Sequence, residues 1–324
     1  VSGTVEEVKR GAKRVILEII IKSDEVVSYE DFGKTDPASA GREAIIDKLL
    51  KSGLWAVIRQ RPYNTIANPE DKPKAIFIST FDSSPLAPDY DLIVHGHGEE
   101  FQLGLDVVTK LTEGNVYLNI DAKAGTSKVF SNSKGVKIKQ FDGPHPAGNV
   151  GTQIAMIDPI NKGDVVWHLR PQEILMIGRL FGEGKLDMTK IVAFTGSEVK
   201  HPKYFRTVTG GCITKMREDN VSSADVRYIS GNALTGKKIE KEGFVGFYDS
   251  QVTVLPEGNY HEFVGWIMPR FHKFSTSKTY FSWMTPKKKY RLDTNLNGGE
   301  RAFVITGQYE QVFAWDIYPM QLLK

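Results

Sequence analysis

Lys74-Ala75-Ile76-Phe77-Ile78-Ser79-Thr80 is the stretch that decides the class of fold: it reads as a short apolar strand. The next segment changes rhythm. Over residues 99–111, Phe101, Leu105, Val108 and Leu111 recur on one face of a predicted helix. Residues 115–120 and 136–141 return to strand. A second helix is predicted over 172–181, with Ile174, Ile177, Leu180 and Phe181 as its buried stripe, and a strand over 191–195. Short apolar strands alternating with helices predict an α/β domain on a mostly parallel sheet. The architecture is of the nucleotide-binding type, but architecture assigns no ligand.

Outward from this centre the pattern differs on each side. Residues 1–22 read as a hairpin: Ser2-Gly3-Thr4-Val5 leads through Lys9-Arg10-Gly11 into a strand from Val15 to Lys22, with glycines at the corners of a small β-barrel. The chain opens without Met, as though already inside a strand, and a longer protein is expected. Thr35-Asp36-Pro37 is a helix-start signal. Ile45, Ile46, Leu49 and Leu50 follow at helical spacing, and Gly53 stands where a C-terminal cap belongs. Residues 198–240 form a small β-rich module with Gly210-Gly211 and a turn at Ser230-Gly231-Asn232. Residues 243–324 are β-rich and aromatic, with strands expected at Phe244 to Tyr248 and Gln251 to Leu255 and a turn at Pro256 to Asn259.

Composition narrows the function. With 324 residues, 40% apolar, 25% charged and a net charge of +3, the chain is ordinary for globular domains. Its Lys and Arg are scattered among acids, which argues against nucleic acid. The tight run Lys287-Lys288-Lys289 reads as a solvated loop or strand edge, with an acidic partner or anionic lipid headgroups as alternatives. Cys212 is the only cysteine, so the chain cannot supply a cysteine-ligated iron–sulfur cluster, a cysteine zinc site or an internal disulfide. That usage fits a reducing compartment. No run approaches the ~18–20 apolar residues of a membrane span, so membrane contact is expected to be peripheral.

Gly143-Pro144-His145-Pro146-Ala147-Gly148-Asn149-Val150-Gly151-Thr152 follows the strand ending at Phe141. It lacks the Gly-Lys-Ser/Thr of a phosphate loop and the Gly-x-Gly-x-x-Gly of a dinucleotide site, and its prolines remove backbone donors. It reads as a structural loop, with an interface or small-molecule contact as the alternative; the candidates are Gly143, His145, Gly148, Gly151 and Thr152. His145 and His168 have no sequence-local partner for acid–base work and read as packed histidines. His95-Gly96-His97, with Glu99 and Glu100, is the most metal-like cluster, since His-x-His sets two rings on one face of a strand; it lacks an evident third ligand. No nucleophile or metalloprotease signature is present, so no residue is expected to be catalytic.

Several stretches together resemble one family. Phe141-Asp142-Gly143-Pro144-His145-Pro146-Ala147-Gly148, Trp167-His168, Leu54-Trp55 and Arg59-Gln60-Arg61-Pro62-Tyr63 are similar to segments of the A subunits of the sodium-translocating NADH:quinone oxidoreductase (Na+-NQR). So are Leu111-Thr112-Glu113-Gly114, Phe263 to Pro269, Lys273-Phe274-Ser275, Asn297 to Ala302 and Asp316-Ile317, in the same order. The resemblance implies a hydrophilic, peripheral subunit on the cytoplasmic side of the bacterial inner membrane. Its complex passes electrons from NADH to ubiquinone and pumps sodium. The partners implied are the other subunits, above all the membrane-embedded ones, and ubiquinone enters as a substrate of the complex.

The implied fold is a Rossmann-like parallel-sheet core with barrel-sandwich and β-grasp modules, truncated at both ends. The expected divisions are a partial barrel-sandwich segment over 1–35, a Rossmann-like domain over 36–197, a β-grasp module over 198–242, and a C-terminal β-rich segment over 243–324 returning to the barrel. No flavin, cluster or metal is expected on this chain. A structural, docking role is expected, with the Gly143 to Thr152 loop and exposed Trp55, Trp266 and Trp283 forming an intersubunit or quinone-side surface. Two other readings are a self-sufficient flavin- or nucleotide-binding oxidoreductase, and a carrier domain modified at Lys9 or Lys13.

Overall fold

In the computed structural model, which describes residues 2–123, 125–222, 225–265, 267–275 and 277–324, the chain divides into two compact units, Val1–Ser83 with Asp89–Lys190, and Ser84–Pro88 with Ile191–Lys324. The first unit contains, in order, β1 (Gly3–Arg10), β2 (Ile16–Ser23), α1 (Arg42–Lys51), β3 (Arg59–Arg61), β4 (Thr65–Ile66), β5 (Ala75–Ser79), α2 (Tyr90–Ile93), α3 (Gly98–Thr109), β6 (Asn115–Asp121), α4 (Lys128–Ser131), β7 (Lys137–Phe141), α5 (Val150–Ile157), β8 (Val166–Leu169) and α6 (Pro171–Glu183).

Every residue of β5 is buried, as its unbroken apolar run demands. It pairs in parallel with β6 (Phe77↔Tyr117) and with β8 (Phe77↔His168). Among the described residues the sheet has six strands in the order β4-β3-β8-β5-β6-β7, with β3 and β4 antiparallel. On one face Ala75, Phe77, Tyr117 and Val166 pack against Ile154 of α5. On the other, Trp167 meets Trp55 edge-on with ring centres 5.4 Å apart. At one edge β7 presents Lys137, Lys139 and Gln140 to solvent; at the other β4 is two residues long.

The expected hairpin is present as β1 and β2, paired antiparallel from Gly3↔Ser23. Both strands are almost wholly exposed, Val5, Ile16 and Leu17 included, and among the described residues they close into no barrel. The helix expected from Asp36 starts later. Asp36 Oδ1 accepts from Ala38 N at 2.9 Å and caps a turn, and Gly41 is the residue before α1. Gly53 has φ +76°, the left-handed helix end its position promised.

The second unit contains β9 (Thr189–Thr195), β10 (Lys203–Val208), α7 (Thr214–Arg217), β11 (Val226–Ser230), β12 (Lys237–Ile239), β13 (Gln251–Pro256) and α8 (Pro319–Leu323). Its sheet runs β10-β9-β13-β11-β12, with β13 parallel to β9 and antiparallel to β11. Val192, Phe194, Ile213, Met216, Val252 and Val254 form its core. The chain is therefore mixed α/β, as the sequence predicts.

Two expectations for this unit change. Residues 244–248 form no strand: Phe244 makes a single bridge to Cys212, and Gly246 N is drawn aside to Ser230 Oγ at 2.8 Å. Residues 257–318 contain no strand among those described. Polar ties hold them instead, including Lys273 to Glu262 at 2.7 Å, Tyr260 Oη to Asp293 at 2.6 Å and Arg291 to Glu198 at 2.6 Å.

Glu257, at the end of β13, receives Arg227, Lys238 (3.0 Å) and the Thr294 hydroxyl (3.1 Å). The Arg227 guanidinium outweighs lost hydration and, with Lys238 and Thr294, brings the carboxyl down to about 2. A carboxyl depressed in the folded state stabilises fully above its unfolded value near 4.5 and loses that contribution as pH falls towards 2. Glu257→Gln is expected to cost about 1–2 kcal/mol at neutral pH and nothing near pH 2. Melting temperature measured from pH 6 to 2 checks this; parallel curves for parent and variant would refute it.

Candidate functional site

In open α/β sheets ligands bind beyond the carboxyl ends of the parallel strands. Here the loop from Gly143 to Thr152, which leaves β7 and enters α5, is tied to that end of β5 and, through α5, to β6. Ser79, the last residue of β5, donates to the Gly148 carbonyl at 3.1 Å, or to the Phe81 carbonyl at 3.0 Å. Ser83, in the loop after β5, accepts from Gly148 N at 2.9 Å and lies 3.0 Å from His145 Nδ1. Gln153 of α5 donates to Ser79 Oγ (2.9 Å) and the Ala147 carbonyl (3.2 Å), and accepts from Asn119 Nδ2 of β6 at 2.8 Å. Asn119 and Gln153 are fully buried. A buried polar network of this kind rigidifies what it joins, because each broken bond strands a desolvated partner.

The structure gathers the expected residues unevenly. His145 and Gly148 face the Ser83 strap; Thr152 is buried in the first turn of α5; nothing lies within 4 Å of a Cβ placed on Gly151. Gly143 has φ +152° and turns the chain out of β7. Sequence reasoning missed Ser79, Ser83, Asn119 and Gln153. For Ser79 and Ser83 the one visible signal is the run Ser79 to Ser84, polar but for Phe81, at the end of an apolar strand. The Ser83 hydroxyl holds the loop through both Gly148 and His145.

Gly148 is required by space. A Cβ there would collide with Ser83 N and stand 3.0 Å from Ser83 Oγ. Gly148→Ala is expected to cost about 1–3 kcal/mol by overpacking, whereas Gly151→Ala, in a helix with open space, should be neutral or slightly stabilising. Urea unfolding of the two variants checks the contrast, and equal effects would refute the strap.

Other candidates fall elsewhere. His95 and His97 are not on a strand: Gly96 turns left-handed at φ +82° and His97 is the residue before α3, its Nδ1 3.1 Å from Glu100. Among the described residues no group of three His, Cys, Asp or Glu comes together as a metal site. Trp55, expected on the surface, is a core residue only 4% exposed, its Nε1 donating to the Ala67 carbonyl at 2.7 Å. Trp283 is exposed, and Trp266 lies outside the described residues. His168 is half-buried beside Arg59, Arg61 and Arg170; loss of hydration and then those cations keep it neutral, well below the ordinary histidine range.

The first unit thus defines an α/β domain on a mostly parallel sheet whose β7–α5 loop is tied to the end of β5. Comparison with known proteins gives the particular family. Residues 40–186 match the family model described as the NqrA second alpha/beta domain, and residues 191–241 the one described as the NQRA C-terminal domain. The A subunit of the Na(+)-translocating NADH-quinone reductase of Pasteurella multocida is 38% identical over 327 aligned residues, covering 100% of this chain and 72% of that protein. Its Rhodopirellula baltica counterpart is 37% identical, with the same two coverages. The chain belongs to the NqrA family, the A subunits of Na(+)-translocating NADH-quinone reductase. Among solved structures, an NAD+-reducing nickel–iron hydrogenase in its air-oxidized state superposes with a TM-score of 0.48 at 11% identity, covering 69% of this chain and 48% of that one.

Proposed function

We propose that this chain is the hydrophilic, peripheral subunit of a complex that transfers electrons from NADH to ubiquinone and pumps sodium ions, and that its role there is structural. The observation that carries the reading is 38% identity along its whole length to an NqrA protein. Among the described residues no helix is long and apolar enough to cross a membrane, in keeping with docking onto membrane-embedded partners at the cytoplasmic side of the bacterial inner membrane. The Gly143 to Thr152 loop, braced by Ser79, Ser83 and Gln153, is the surface we assign to a partner subunit or to the quinone side. The chain itself holds no prosthetic group in this reading. A single cysteine, too few for a cysteine-ligated cluster, supports that.

The test is purification from solubilised membranes through a tag on this chain. The expected result is co-purification of the other subunits, and an isolated chain that is colourless and inert to NADH. Recovery of the chain alone, with an absorbance band near roughly 450 nm of the kind bound flavin gives or with NADH oxidation of its own, would overturn the proposal in favour of a self-sufficient flavoenzyme.

A further inference from the structure

Between Glu262 and Asp293 the chain carries no Asp or Glu, yet it carries seven Lys or Arg and eight aromatic residues. The net charge of the whole chain is only +3, so everything outside this segment is net negative. A charge run by itself is ordinarily a solvated face. Here the cations are interleaved with large apolar side chains, and the structure gathers the two kinds into one patch.

Four contacts close that patch. Phe271 meets Phe281 with ring centres 5.8 Å apart, and Phe274 meets Tyr290 at the same distance. Lys288 Nζ donates to the Phe271 carbonyl at 2.8 Å, and Tyr290 Oη donates to the Ser282 carbonyl at 3.2 Å. Phe271 and Phe274 are thereby held against a single 3-10 turn, Phe281–Met284, and the lysine run behind it. Of that turn only Ser282 is buried. Phe271, Phe274, Phe281, Trp283 and Met284 are each 45–60% exposed. Large apolar groups exposed together mark a contact surface, whereas single ones do not.

The cations divide into two sets. Arg270 and Lys273 share Glu262, at 3.1 and 2.7 Å, and Arg291 is paired with Glu198. Lys278, Lys287, Lys288 and Lys289 are exposed and meet no acid among the described residues. Further along the same unit, exposed Phe303, Val312 and Trp315 have Glu300, Glu310 and Asp316 for chain neighbours. In the patch the exposed apolar groups have unopposed ammonium groups beside them instead.

We propose that Phe271, Phe274 and Phe281–Met284, with Lys287, Lys288 and Lys289, form a docking surface for an anionic lipid bilayer. The inference deepens the peripheral reading given above and rests on it for the presence of a membrane. The lysines meet the phosphates of the headgroups. Phe281, Trp283 and Met284 enter the boundary between headgroups and acyl chains, where amphipathic aromatic groups are enriched. The ring pairs cross at 68° and 62°, so they offer no open stacking platform of the kind single-stranded nucleic acid needs.

The test is co-sedimentation of the purified full chain with phosphatidylcholine vesicles, with and without phosphatidylglycerol. The chain should sediment with the anionic vesicles, be released by high salt, and stay in solution with phosphatidylcholine alone. Each lysine near an anionic surface contributes about fivefold to partitioning. The Lys287→Gln, Lys289→Gln double variant should therefore bind about twentyfold or more weakly. Trp283→Ala should bind about tenfold more weakly, and both variants should melt with the parent because the altered side chains are exposed. Equal sedimentation with the two kinds of vesicle, none with either, or undiminished binding by both variants overturns the surface. Tighter binding to single-stranded RNA than to anionic vesicles overturns it too. Any of these failures leaves co-purification of the other subunits untouched, so the two readings fall separately.

Discussion

Gly178→Ala is expected to lower the unfolding free energy of the first unit by about 2 kcal/mol, although it adds a single methyl group to a helix. Gly178 lies in α6, where a Cβ would fall inside contact distance of the Glu100 carbonyl oxygen and 2.8 Å from its carbon. Gly104 of α3 is the reciprocal position: a Cβ there would collide with the Ile174 carbonyl and come 2.7 Å from Ile174 Cγ2. The two helices therefore meet backbone to backbone. A side chain can rotate out of the way of a new methyl; a carbonyl inside a helix cannot. The helices must move apart, and Phe101, Leu105, Ile174 and Ile177, all fully buried, lose contact together. Alanine's better helix propensity returns at most about 1 kcal/mol, against an overpacking cost of about 1–3 kcal/mol that is largest where nothing can yield. Urea unfolding with an unchanged m-value is the measurement. A variant within about 0.5 kcal/mol of the parent would show that the helices do not touch in this way.

Trp167→Ala should cost about 3–5 kcal/mol, the usual range for emptying a large aromatic site in a core. Trp167 is 0% exposed, stacks edge-on against Trp55 and bonds Gln60 through its indole N–H. The lost volume lies between a sheet and its covering layer, which cannot collapse inward without moving β8. Gln60 Oε1 keeps its bond from Asn68 N at 3.1 Å, so most of the loss is packing rather than a stranded acceptor. Trp167→Phe should accordingly retain more than half of the stability that Ala loses. If Ala and Phe prove equally mild in denaturant titrations, the site is not close-packed.

What could be read from the residues follows their periodicity. The β5, α3, β6 and α6 elements were legible because long apolar patterns differ clearly between a period of two and one of 3.6. The strand β3 was not: three residues, two of them Arg59 and Arg61, carry no apolar alternation, and only pairing with β8 makes them a strand. Asp36-Pro37 misled for a related reason, since the same capping chemistry closes a turn as readily as it opens a helix. Gly104 and Gly178 look like helix weaknesses in one dimension and become a helix contact in three.

At the candidate site, the loop bearing Gly143, His145, Gly148, Gly151 and Thr152 stood out through its glycines and prolines. Ser83, 62 residues before His145, could not be assigned to it, because side-chain partners across that distance are set by topology and not by spacing. Trp55 shows the opposite error. Expected as a surface anchor, it instead donates its N–H to the Ala67 carbonyl inside the core.

The margins of the first sheet bear on how the protein behaves in a crowded cell. A row of open backbone donors and acceptors invites a foreign strand to dock, the first step of fibril growth. Charged ammonium groups on β7 would have to be stripped of water by any such visitor, and the opposite rim offers two residues of ladder, too few for a lasting zipper. Replacing Lys137 and Lys139 with isoleucine should therefore leave the chain folded but make it precipitate, as light scattering during storage would reveal.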